Sequence, residues 1–323
     1  MRYRKLSMAL VLCFGVIAAL GADAQEAAKV MRVGYVATVA RPNLNDDALR
    51  QGLHDLGWVE GKNLVMEYRW GNVDRHPALT AELVALKPDV IVVGAASAAI
   101  ARAATQTIPV VFVTGQDPVA TGLVASLARP GANLTGVASM NVELDGKRFD
   151  LLKQVIPRIK RVAMLFNPDN PGAESARATL ARTARSAGVV IQFVDARAPA
   201  DLDGAIGAAT RARADALAVF ASPLFFNNQP RIAQLSSSAR LPSIAAWKQF
   251  PESGGLMSYG VDIPTMFRRA AGHVDKILRG ARPADLPVEQ ATTTEFVINL
   301  KTAKGLGLPI PQTVLLQANQ LIQ

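Results

Sequence analysis

Runs rich in Val and Ile recur along the chain, separated by amphipathic stretches and turn residues. Short apolar runs of this kind predict strands buried on both faces. They fall at 31–36, 63–68, 89–93, 109–113 and 134–138. Helical periodicity predicts helices between them, at 44–56, 77–86, 97–105 and 118–127. Gly57, Pro88 and Pro130-Gly131 supply stop signals. The rhythm restarts after a helix at 143–156. Strands are expected at 161–166, 189–194, 216–220, 242–245 and 255–259, with helices at 171–187, 200–211 and 226–239. Alternating strands and helices imply parallel sheets covered on both faces. The expected class is therefore α/β, with two similar doubly wound lobes.

A helix at 264–278, an alternating strand at 288–298 and a helix at 300–306 follow the second lobe. An extra helix and strand suggest that the chain crosses between lobes more than once. The expected first lobe takes 29–141 and 262–283. The second takes 142–261 and 287–323. A tail packed wholly on the second lobe is the alternative.

The amino terminus reads differently. Arg2, Arg4 and Lys5 precede an apolar run from Met8 to Leu20, and Ala22-Asp23-Ala24 follows. Basic, apolar, then small residues is the order of a secretory signal, here residues 1–24. The run is short for a bilayer span. Cys13 is the single cysteine and falls inside this segment, after Leu12, which disfavours a lipid anchor. The exported chain would begin at Gln25, without a disulfide, thiol nucleophile or cysteine metal site. Cleavage removes three basic residues and one acidic one, lowering the formal charge from +9 to +7. The remaining basic residues are scattered among alanines, as at Arg177, Arg182 and Arg185, without an aromatic stripe. That pattern reads as a solvated surface rather than a nucleic-acid site.

Several stretches resemble one family of extracytoplasmic substrate-binding proteins of ABC transporters, the tryptophan/tyrosine-type. They are RQGLHDLGWVEGKNLVMEYRW at 50–70, IPVVFVTGQDPVATGLVASLARPGANLTGV at 108–137, NPDNPGAES at 167–175, GGLMSYG at 254–260 and FVINLKTAKGLGLPIP at 296–311. The resemblance implies a type I periplasmic-binding fold, two Rossmann-like lobes joined by a three-segment hinge. It also implies a small-molecule ligand, a membrane permease and a cytoplasmic ATPase as partners, and a periplasmic location. The ligand would be an aromatic amino acid or another carboxylate-bearing compound. A monomer without cofactor or metal is expected, touching the membrane only through the permease.

Doubly wound sheets bind ligands beyond the carboxyl ends of their strands. Residues just after each strand are therefore the candidates. In the first lobe they are Thr38, Ser97, Thr114, Gln116, Asp117 and Ser139. In the second they are Asn167, Asn170, Ser222 and Trp247, with Tyr259 near a crossing. Ser97 opens a helix, where unpaired N–H groups suit a carboxylate. It can equally cap its own helix. Asp117 before Pro118 reads first as a cap, and Asn167 and Asn170 read equally as turn residues or ligand clamps. Trp247 offers a wall for a planar ligand, whereas Phe225 and Phe226 read as packing. The resemblance places an acidic residue near position 222 in relatives that bind amino acids. Phe220-Ala221-Ser222-Pro223 has none.

Enzymatic patterns are missing. His54, His76 and His273 read as surface or half-buried helix residues, without metal-ligand spacing. Ser97 lies in Gly-Ala-Ala-Ser-Ala-Ala rather than a nucleophile elbow. The leading expectation is a solute-binding component of an importer. The rival is a periplasmic sensing module for a membrane receptor, which needs the same cleft.

Overall fold

The computed structural model describes residues 29–37, 43–139, 141–170 and 172–323. The expected signal segment and Thr38 lie outside the described residues.

The first run comprises β1 (Met31–Ala37), α1 (Leu44–Asp55), β2 (Leu64–Trp70), α2 (His76–Ala85), β3 (Val90–Gly94), α3 (Ala95–Ala104), β4 (Val110–Thr114) and β5 (Leu134–Ala138). The second comprises α4 (Asn141–Val155), β6 (Arg161–Phe166), α5 (Ala173–Ser186), β7 (Val190–Asp195), α6 (Leu202–Arg211), β8 (Ala216–Val219), α7 (Pro223–Asn227), α8 (Gln229–Ser238), β9 (Ser243–Ala245) and β10 (Met257–Val261). The chain ends with α9 (Ile263–Leu278), β11 (Glu289–Gln290), β12 (Thr294–Asn299), α10 (Leu300–Leu306) and β13 (Gln320–Ile322).

Among the described residues these strands form two sheets. One has the order β11-β5-β4-β3-β1-β2 and the other β13-β12-β10-β9-β8-β6-β7. The first five strands of each run repeat one topology: β2-β1-β3-β4-β5 matches β7-β6-β8-β9-β10. These pairings are parallel. Strand order therefore reverses between β1 and β3 in one lobe, and between β6 and β8 in the other. A reversal leaves a crevice beyond the carboxyl ends of the strands, because the helices leave on opposite faces.

Uninterrupted apolar strands fill both cores. Val90, Ile91, Val92 and Val93 are fully buried in β3, as are Val162, Ala163, Met164, Leu165 and Phe166 in β6. Helix α9 follows the second lobe in sequence but packs on the first. Its Met266, Phe267, Ala270, Ala271 and Val274 join Leu49 and Leu53 of α1 and Val33 and Tyr35 of β1 in one core. The helices approach closely at Gly52, where an added Cβ would lie 2.8 Å from both the Arg268 carbonyl and the Ala271 Cβ.

The chain passes between sheets after β5, after β10 and between β11 and β12. Buried groups tie these passages together. Arg148 of α4 donates from Nε to the Tyr259 carbonyl at 2.8 Å and from Nη1 to Asp145 at 2.7 Å. Tyr259 in turn accepts at its hydroxyl from Thr294 Oγ1 at 3.1 Å. Burial pushes the Asp145 carboxyl upward, and Arg148 opposes that shift. Lys248 pairs with Asp262, the cap of α9, at 2.9 Å.

Several local expectations differ from the structure. Segment 118–127 forms turns rather than a helix. Gly122, at φ +70°, ends the coil after one turn. The expected helix at 226–239 is two helices, because Asn228 leaves helical geometry between them. The expected strand at 288–298 divides into β11 and β12, which join different sheets. First-lobe pairing therefore extends to Gln290, past the expected start of the second-lobe tail at 287.

Candidate functional site

The carboxyl ends of both sheets converge on a cavity of about 140 Å³. A cavity of about this size accepts one benzene ring. The first lobe contributes Tyr35 to Ala37 of β1, Asn43 and Asn45 at the start of α1, Gly94 to Ala96, Thr114 to Gln116 and Ser139. The second contributes Ala221 to Pro223, Phe226, Asn227 and Trp247. Helix α9 closes one side with Ile263, Met266 and Phe267. Among the described residues, none that lines the cavity carries a formal charge.

The aromatic groups form two sets. Trp247 and Phe226 meet edge to face, with ring centroids 5.3 Å apart at 76°. Tyr35 and Phe267 meet at 5.9 Å and 86° on the first-lobe side. Burial, and then the Asp46 carboxylate, push the Tyr35 phenol far above its ordinary range, so it stays neutral. Asp46 also accepts from Trp70 Nε1 at 3.0 Å and from the Asn43 backbone N–H at 3.1 Å. Asn43 Oδ1 accepts from the Asn45 N–H at 2.8 Å. This capping box fixes the turn that carries both asparagines.

A polar feature without a side chain lines the same cavity as Trp247. Gly94 begins α3 with extended backbone and no side-chain cap. The first-turn N–H groups of α3 have no intrahelical acceptor, and the helix start carries partial positive charge. Gly94, Ala95 and Ala96 present this start to the cavity.

Ser97 is a correction. It stands at the third helical position, and its phase along α3 places it with Ala98 and Ala101 on the buried face. Its hydroxyl is 2.7 Å from His76 Nδ1. His76 Nε2 lies 3.2 Å from the Gly71 carbonyl, so Nε2 carries the proton and Ser97 donates to Nδ1. Burial lowers the His76 pKa, which keeps the ring neutral. His76 and His273 are thus interior residues, against the expectation of surface or half-buried ones. A histidine inside the fold needs acceptors and donors there, and Ser97 supplies one.

Of the other candidates, Thr114, Gln116, Ser139, Ser222 and Trp247 line the cavity. Asn167, Asn170, Asp117 and Tyr259 do not. Ser222 takes the cap position of α7 in extended geometry without a side-chain cap bond, so its side chain stays at the strand mouth. Its Oγ donates to Asn170 Oδ1 at 3.2 Å, and Asn170 Nδ2 donates to the Ala221 carbonyl at 3.3 Å. Asn167 Oδ1 accepts from the Asp169 N–H at 3.0 Å. Both asparagines therefore brace loops behind Ser222. Asp117 Oδ1 accepts from the Val119 and Ala120 N–H groups at 2.8 and 3.1 Å. Tyr259 belongs to the crossing described above.

Sequence reasoning missed Tyr35, Asn43, Asn45, Asn227 and the α9 residues, and assigned Phe226 to packing. Phe225 is the packed one, at 0% exposure, and Phe226 turns to the cavity. The helix period separates such neighbours only once the helix start is known. Asn43-x-Asn45 beside the first strand end carried a legible signal, since that turn adjoins the strand reversal.

A second cavity of about 150 Å³ adjoins the first across Gln116, which lines both. Asp117, Ala120 and Thr121 bound it from the first lobe. Val142, Gly172, Ser175, Ala176, Thr179 and Phe220 bound it from the second. A Cβ added to Gly172 would lie 3.3 Å from Thr121 Cγ2, and the φ of +72° there disfavours a side chain.

Residues 33–322 match the family described as ABC transporter substrate binding protein. The chain belongs to that family. A relative named tyrosine-binding protein, from Clostridioides difficile, is 25% identical over 287 residues, covering 87% of this chain and 82% of that one. A solved conserved domain protein from Vibrio cholerae is 30% identical, with TM-score 0.83, covering 91% of this chain and all of that one. A solved protein from Streptococcus pneumoniae in complex with L-Trp is 24% identical, with TM-score 0.84, covering 90% of this chain and 99% of that one. Substrate-binding proteins of this family are extracytoplasmic. Among the described residues, no helix is long and apolar enough to cross a membrane. No group of His, Cys, Asp or Glu among them could hold a metal ion.

Proposed function

We propose that this family member is the solute-binding component of an ABC importer, and that its solute carries an aromatic ring and a carboxylate. The observation that carries the reading is the cavity itself, which is lined by both lobes and holds two aromatic pairs and an uncapped helix start. The ring lies between Trp247 and Phe226 on one side and Tyr35 and Phe267 on the other. The carboxylate meets the N–H groups at the start of α3, assisted by Thr114 and Ser139. Helix-start N–H groups suit an anion that is otherwise surrounded by neutral side chains. The relatives named for tyrosine and solved with L-Trp support the aromatic part.

Ligand held by both lobes favours the closed arrangement, because only that arrangement offers both sets of contacts. The closed form is what a membrane permease would receive, and a cytoplasmic ATPase would drive release. Residues 1–24 direct export, and the exported chain starts at Gln25.

The test is thermal shift and calorimetric titration of exported protein with L-tryptophan and L-tyrosine, followed by recovery of the ligand. Ligand at about 100 times its dissociation constant should stabilise the fold by about 2.7 kcal/mol. It should be recovered chemically unchanged. A converted product would make the protein an enzyme, and no stabilisation by either amino acid would reject an aromatic solute of this kind.

A further inference from the structure

The second cavity is as large as the first, and none of the residues assigned above to the solute's ring and carboxylate lines it. It differs in chemistry. The first is walled by four aromatic rings and lacks a charged side chain among the described residues. The second has one aromatic wall, Phe220, with Val142, Ala120 and Ala176 beside it, and it carries polar groups at Gln116, Asp117, Ser175 and Thr179. Asp117 spends Oδ1 on the two backbone N–H groups it caps. A carboxylate has acceptor sites beyond those on that one oxygen. The chamber is lined from both lobes, so it exists only when the lobes meet. A solute reaching into it would add contacts specific to the closed form.

We infer that the second cavity is a subsite for a second arm of the solute, an arm of about ring size that presents hydrogen-bond donors or a cationic amine to Asp117. Gln116, at the junction, contacts both parts. The solute class is then an aromatic compound with an amine-bearing extension, larger than a single aromatic amino acid. This rests on the aromatic reading of the first cavity and extends it.

The experiment is calorimetric titration of the exported full chain with L-tryptophan, tryptophyl-lysine, lysyl-tryptophan and tryptophyl-glutamate. At least one lysine dipeptide should bind about tenfold or more tighter than L-tryptophan, as expected for a hydrogen bond to a charged group. Tryptophyl-glutamate should bind more weakly than tryptophyl-lysine. Asp117→Asn keeps the amide oxygen for the cap and removes the charge, so it should narrow the lysine-to-glutamate preference. Ser175→Trp fills the chamber from an exposed position and should remove the dipeptide advantage while leaving the L-tryptophan affinity within about twofold. Equal affinity for L-tryptophan and both lysine dipeptides, unmoved by Ser175→Trp, would overturn the subsite while leaving the aromatic reading intact. Binding of no aromatic probe at all would overturn both. A Ser175→Trp variant that weakens L-tryptophan as much as the dipeptides would show that the two cavities do not act as separate subsites.

Discussion

Two serines follow buried strands and enter helices, yet they come to opposite uses. Ser97 follows β3 and is turned inward to His76. Ser222 follows β8 and stays at the cavity. The difference lies in where the helix starts. Gly94 takes the cap position of α3, so Ser97 falls three residues in, on the buried face. Pro223 begins α7, so Ser222 is itself the cap and keeps extended geometry. A shift of three residues along a helix decides whether a serine joins the buried face or stays at the strand mouth beside the cavity. The first lobe consequently offers backbone N–H groups at this place, and the second a serine whose hydroxyl is held by Asn170.

The contrast can be pressed with substitutions. The largest effect is expected at Trp247, which is only 6% exposed and belongs to the second-lobe core while also lining the cavity. Trp247→Ala should therefore lower stability by about 3–5 kcal/mol. It should also weaken aromatic ligand binding about ten- to a hundredfold through lost apolar contact. Denaturant unfolding and titration read the two effects separately. A site residue in an open cleft would have shown only the second.

Ser97→Ala should cost about 1–3 kcal/mol, because it strips a donor from buried His76 Nδ1. Ligand affinity should stay within about twofold. Ser222→Ala should do the reverse. Loss of its bond to Asn170 should cost about 0.5–1.5 kcal/mol of stability. Affinity should fall by more than Ser97→Ala causes. Equal behaviour of the two variants in titration would erase the distinction between the serines.

The smallest effect is a pH slope. Burial lowers the pKa of both His76 and His273 below the ordinary 6.5. The unfolded chain then takes up protons that the folded chain refuses. Stability is accordingly present above about pH 6.5 and declines as pH falls through that value and toward the lower folded pKa values. Melting temperature measured across this range should drop on acidification. The double variant His76→Gln, His273→Gln should show a shallower slope.

Much of the fold was legible because long buried strands announce themselves. The apolar runs at β1, β3, β4 and β6 left little room for another reading, and their order implied the doubly wound lobes. The site was only partly legible. Strand ends can be read from a sequence, which located Thr114, Gln116, Ser139, Ser222 and Trp247. Helix phase cannot be read until the cap is known, which misplaced Ser97 and hid Phe226. Residues brought by distant elements left no local mark. Met266 and Phe267 reach the cavity because α9 returns to the first lobe, a tertiary fact. Asn167 and Asn170 have the composition of a ligand clamp, but they spend their amide groups on neighbouring loops. Residue type alone does not separate these uses.

The central claim is that a small aromatic solute is held by both lobes at once and thereby keeps them together. Small-angle scattering of exported protein, with and without saturating L-tryptophan or L-tyrosine, measures this most directly. The account predicts a smaller radius of gyration with ligand, and Trp247→Ala should need more ligand to reach the same compaction. Ligand that binds at full affinity without changing the radius of gyration would contradict it.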